Sequence, residues 1–249
     1  YLWEDVPLKM NNSVSFNVDW AIMKSVLSIL LLFSLFHEGS SQVCSSFYLM
    51  QQNRNIQFAQ TSNKGISNGS IQITTSVQRE KDNVLSSMLH TSLLNRDGRQ
   101  VGSGLYKVAC NNGVLMVDMA MFIPRQQAEQ FNKNQAVIKK NSLLEYPAKM
   151  RTGDQLKDGH FLMEIDNNGV QQILQLEISN RRVTGTEKIS TKAGSFDCVT
   201  ITYQVKLNVQ TGPIVIPLNF NATEWFAPGF GTIKTQSESG ITTLSKISG

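Results

Sequence analysis

Nucleophilic catalysis needs an activated Ser or Cys, a base within reach of it, and a group that orients the base. Downstream of residue 41 the only imidazoles are His90 and His160. His90 sits between Leu89 and Thr91, and His160 opens the run His160-Phe161-Leu162-Met163-Glu164-Ile165, both ordinary places for a sheet-face histidine. There is no Gly-x-Ser-x-Gly elbow, because Gly102-Ser103-Gly104 has the wrong spacing. A metal centre wants Cys, His or carboxylates close together, yet Cys44, Cys110 and Cys198 are far apart. Asp154 and Asp158 flank a turn without the oxygen-rich loop that calcium requires. Gly229-Phe230-Gly231 lacks the Gly-Lys-Ser or Gly-Lys-Thr that would complete a phosphate loop. The expectation is a protein that is not an enzyme, with no catalytic residues, no metal and no cofactor.

Two segments offer contact chemistry instead. In Glu224-Trp225-Phe226-Ala227-Pro228-Gly229-Phe230-Gly231-Thr232-Ile233-Lys234 an aromatic pair ends a strand, Ala-Pro-Gly turns it, and Gly231 lets the chain enter the next strand against neighbouring rings. Leu115-Met116-Val117-Asp118-Met119-Ala120-Met121-Phe122 is rich in Met, a side chain that adapts to irregular apolar surfaces. Trp225, Phe226, Met119, Met121 and Phe122 are therefore the candidate ligand contacts; core packing explains them equally well.

The elements that must carry these residues are strands. Val199, Ile201, Tyr203, Val205, Leu207 and Val209 alternate with polar partners over a long run, and Ile71, Ile73 and Val77 alternate with Gln72, Thr74 and Ser76. Ile214, Ile216, Leu218, Phe220 and Ala222 repeat the pattern, with Pro217 removing a ladder donor, so that strand is an edge or is bulged. Leu174, Leu176 and Ile178 hold one parity while Val183 and Ile189 hold the other. A bulge near Asn180-Arg181-Arg182 accounts for the slip and lets a long sheet curl. Asn63-Lys64-Gly65, Asp97-Gly98, Asn112-Gly113, Asn168-Gly169, Ala193-Gly194 and Ser239-Gly240 supply hairpin turns. Ile123-Pro124 through Phe131 reads as one short helix. The fold class is mainly all-β: a large curved antiparallel meander sheet or half-open barrel, with no linker or repeat dividing it.

Met23-Lys24 leads into the apolar run Val26 to Phe36, and Gly39 and Ser41 satisfy a signal peptidase, placing cleavage before Gln42. The run is too short to span a bilayer, and no transmembrane segment is expected after cleavage. The acidic residues 1–22 are wrong for a signal, so they read as an over-long leader ahead of a start at Met23, with 23–41 the signal peptide and 42–249 one β domain. Removing 1–41 takes Lys9 and Lys24 with Glu4, Asp5, Asp19 and Glu38, which raises the net charge from +4 to +6. The charges are scattered, so no nucleic-acid groove is expected. Cys44 lies close enough to the cleavage point to suggest lipidation, but branched Val43 precedes it where a small residue is wanted. An oxidising compartment allows one disulfide among Cys44, Cys110 and Cys198, with Cys110 and Cys198 a poor pair if their strand phases face opposite sides.

The order Thr191-x-Ala193-Gly194-x-Phe196-x-Cys198, a long strand, then Trp225-Phe226-Ala227-Pro228-Gly229-x-Gly231-x-x-Lys234 resembles the TapB-like family of exported envelope proteins of unknown function. Cys44-Ser45-Ser46-Phe47-Tyr48, Val108 to Gly113 and Asp118 to Pro124 are similar as well, while Leu49 stands near where that pattern has a Pro. The resemblance implies a curved antiparallel sheet in the periplasm or at the surface of a Gram-negative bacterium, and brings no catalytic residues. The functional expectation is a concave sheet face binding a lipid-like or other apolar ligand; the alternative is an assembly protein that binds another envelope protein through a sheet edge, with a hydrolase third.

Overall fold

A computed structural model of the chain describes residues 44–79, 84–123, 136–167 and 169–249. The signal at 23–41, the leader at 1–22 and the helix expected from Pro124 onward lie outside the described residues; Ile123 itself ends a short 3-10 turn, Met119–Phe122.

The chain forms two antiparallel meanders. The first is β1 (Asn55–Thr61), β2 (Ser67–Arg79), β3 (Leu85–Leu94), β4 (Gln100–Asn111) and β5 (Val114–Val117). The second is β8 (Gly159–Asn167), β9 (Val170–Thr191), β10 (Gly194–Thr211), β11 (Ile214–Ala227), β12 (Gly231–Ser237) and β13 (Gly240–Ser248). Glycines at φ +77 (Gly65 and Gly98), +78 (Gly113) and +83 (Gly169) sit at the tight turns, a backbone state that costs a residue without Cβ little. Pairing of β1 with β13 joins the meanders into one open sheet of 13 strands among the described residues.

The remaining strands, β6 (Ala136–Asn141) and β7 (Leu144–Pro147), occupy opposite edges of that sheet although only Ser142 and Leu143 separate them. Such a link reaches no more than about 11 Å, so the sheet curls until its two edges approach. Among the described residues no ladder joins β6 to β7 and the barrel stays unclosed. Arg181 of β9 helps hold the curl, its Nη1 donating to the carbonyls of Glu145 in β7 (3.2 Å) and Lys157 (2.7 Å).

The parity slip in β9 is a bulge. Thr202 pairs with Arg182 and Gln204 with Ser179, so Asn180 and Arg181 together oppose Tyr203, and Asn180 takes φ +56. Leu174, Leu176 and Ile178 are buried before it, Arg181 and Val183 after it. The extra residue thus turns the Arg181 side chain into the interior.

An N-terminal arm bridges the two halves. The Cys44–Cys110 disulfide ties it to β4, Tyr48 N donates to Phe230 O at 2.9 Å, and Phe47, Tyr48, Leu49 and Met50 are buried. Cys198 keeps a free, buried thiol whose pKa is pushed up to about 11, by burial first and then by Asp197 and Glu187. With its sulfur in the disulfide, Cys44 has no thiol for a lipid thioether.

Candidate functional site

Strand residues alternate between faces, so only every second side chain of each meander looks into the curl. On the inside, Phe58, Ile71, Ile73, Leu93, Leu115 and Val117 form one wall of a cavity of about 330 Å³. The Met121-Phe122-Ile123 turn and Tyr48 and Leu49 of the arm add to it, and Thr232 and Thr235 of β12 face it from the other half of the sheet. Gly102 and Ser103 also line it, whereas neither His90 nor His160 does.

Glu224 is the polar focus of this cavity and is only 2 % exposed. Thr232 Oγ1 donates to Glu224 Oε1 at 2.6 Å, and the Tyr146 hydroxyl donates to Oε2 at 3.0 Å. Burial raises the Glu224 pKa, and the hydrogen bond from Thr232, nearby Arg181 and Tyr146 pull it back only in part. The same burial, with Glu224 beside them, pushes the Tyr48, Tyr146 and Tyr203 hydroxyls upward, so they stay protonated donors. Arg181 Cζ lies 4.7 Å from the Tyr146 ring centroid, and its Nη2 is buried without a hydrogen-bond partner among the described residues. Tyr146 stacks on Phe226 at 4.8 Å between centroids, which fixes the ring that carries the donor hydroxyl.

The candidate contacts separate by face. Met121 and Phe122 line the cavity. Met119 is fully buried beside Gly159, where a Cβ would strike its sulfur, and Phe226 is a core ring between Tyr146 and Phe47. Trp225 points to the other face of β11, its Nε1 donating to Glu187 Oε2 at 2.7 Å with Lys234 Nζ 4.2 Å above its ring. Adjacent strand residues cannot share a face, so Trp225 and Phe226 do not form one site.

A family model described as DUF3108-like matches residues 51–240. The chain belongs to the DUF3108-like family. The matched stretch contains most of the cavity wall, including Phe58, Tyr146, Glu224 and Thr232, and leaves out the arm residues Tyr48 and Leu49. Two solved structures share the fold. One is a predicted exported protein with a YmcC-like fold from Bacteroides fragilis, 18% identical, TM-score 0.61, with 80% of this chain and 97% of that one aligned. The other is a predicted lipoprotein from Parabacteroides distasonis, also 18% identical, TM-score 0.65, covering 81% of this chain and 98% of that one. No curated protein matches the chain in sequence.

Sequence reasoning passed over Glu224, Tyr146 and Arg181. Glu224 heads a motif read for its aromatic pair, Arg181 was read only as part of the bulge, and Tyr146 reaches Glu224 from 78 residues away. The one available signal was Glu224 itself, which shares the inward parity of Ala222 and Phe226 and so is a charged residue in a buried phase.

Proposed function

We propose that the chain is a non-catalytic, exported envelope protein of Gram-negative type whose curled sheet takes a lipid-like, apolar ligand into its interior. The observation that carries this is the 330 Å³ cavity, apolar over most of its wall with its polar groups gathered around Glu224. That distribution, an apolar enclosure with a few convergent polar groups, is typical of small-molecule sites. Export is supported by the Cys44–Cys110 disulfide, which persists in oxidising compartments. The TapB-like order of motifs supports an envelope location. That neither described histidine lines the cavity supports binding without catalysis.

Detergent-free recovery of the protein from its native envelope, followed by mass spectrometry of extracted lipids, tests the proposal. Wild type should carry a lipid, and a folded variant with Ile71→Trp and Leu93→Trp filling the cavity should carry none. Wild type that is reproducibly lipid-free would sink it.

A sheet-edge assembly role has its own observation. β12 pairs with β11 only from Ala222 to Ala227, so Ile214, Val215, Ile216 and Leu218 lie exposed on a strand paired on one side alone. An edge of that kind can accept a strand from another protein. Stoichiometric cross-links through this segment with no co-purifying lipid would favour that role.

A further inference from the structure

The proposal above leaves open what kind of apolar molecule enters, and the polar end of the cavity narrows it. Resting on that cavity reading, we infer that the ligand is an uncharged single-chain amphiphile, an alcohol, ester or amide rather than a fatty acid or an amine, with its head group at the Glu224–Thr232–Tyr146 cluster. Three observations lead there.

First, among the described residues no Lys, Arg or His lines the cavity. Arg181 lies over the Tyr146 ring outside that lining, with its charge set against Glu224, so a carboxylate head placed inside would be stripped of water without a cation in the wall to receive it, and would lie beside the Glu224 carboxyl. An isolated buried charge is far more costly than a buried neutral group that keeps hydrogen bonds. Second, both Glu224 oxygens already accept a hydrogen bond, from Thr232 at 2.6 Å and Tyr146 at 3.0 Å, so the carboxyl is held in place. Its burial raises its pKa, which weakens its hold on an ammonium head, and both of its oxygens are already engaged within the protein. Third, the neutral hydroxyls Thr235 and Thr242 also line the cavity, each able both to donate and to accept, and Thr91, which donates to Gly104 O at 3.2 Å, can still accept. Such a wall matches a head group of mixed donors and acceptors.

N-phenyl-1-naphthylamine, an uncharged dye that brightens in apolar sites, is the probe. Dye bound to the full chain is titrated at neutral pH with 1-lauroylglycerol, laurate and dodecylamine, which share one chain length and differ in head charge. Displacement by 1-lauroylglycerol should need at least about tenfold less ligand than by either charged analogue, equivalent to about 1.4 kcal/mol. Glu224→Gln, an uncharged isostere, should preserve this order, whereas folded Thr232→Val should weaken 1-lauroylglycerol by more than it weakens the dye, each measured on the same variant. Laurate or dodecylamine competing as well as the neutral lipid would overturn the head-group inference alone. Dye that never binds the wild-type protein would overturn the cavity reading, and the head-group inference with it.

Discussion

At the residue scale the account turns on two positions in β11 and β12. Glu224 titrates in the unfolded chain near its ordinary value of 4.5, and burial raises it in the folded protein. The native state therefore holds the proton more tightly. Stability from protonated Glu224 is fully present below 4.5 and is lost as pH rises through the folded value. Glu224→Gln removes that loss, so thermal unfolding followed from pH 4.5 upward should show the variant gaining on wild type as pH rises; parallel curves would contradict it. Gly231, at φ +138, faces the Tyr48 ring so closely that any Cβ would collide with it, and that ring is pinned by its hydroxyl on Thr232 O at 2.8 Å. Gly231→Ala should cost about 2–4 kcal/mol from overpacking and backbone strain, measurable by denaturant unfolding. Gly231 was legible in sequence as a close approach to rings. The ring itself was not, because Tyr48 comes from the arm, 184 residues before its partner Thr232.

At the scale of elements, the parity of Leu174, Leu176 and Ile178 against Val183 was enough to place the bulge, since burial fixes which face each strand shows. Parity could not say what the re-aimed Arg181 would meet; its acceptors, the carbonyls of Glu145 and Lys157, lie 36 and 24 residues away in sequence. Pro217 marked an edge or a bulge, and the edge is what the fold has: residues 214–221 have a partner on one side only, because β12 ends at Ser237 opposite Ala222, and their ladder to β10 is unbroken. The arm depends on its disulfide. Cys44 and Cys110 close a loop with a separation of 66 residues, which the chain-entropy model values at about 4 kcal/mol. Cys110→Ser should lower unfolding free energy by about 2–4 kcal/mol and make residues 44–50 the first site of limited proteolysis. An arm that stays protected in the variant would show that packing of Phe47 and Tyr48 suffices without the bond.

At the scale of the whole molecule, alternation and turn glycines gave the meanders, and they could not give the closure. Period-two patterning assigns faces to strands and says nothing about which distant strand lies alongside. The β1–β13 ladder and the placement of β6 and β7 on opposite edges are the long-range facts that bend the sheet around the cavity. Hydrogen exchange should report this layout. Amides of β9 from Gln172 to Ile178 and of β10 from Val205 to Val209, in stretches paired on both sides, should be the slowest, and alternate amides of 214–221 should exchange fast. Uniform protection along β11 would mean that its free edge is covered.

The cavity is the claim on which the functional account stands, and an experimental structure of the protein incubated with 1-lauroylglycerol tests it most directly. The account predicts a chain lying between Ile71, Leu93 and Val117, with its glycerol end at Glu224 and Thr232. An interior closed by its own side chains, with no ligand inside after saturation, would contradict it.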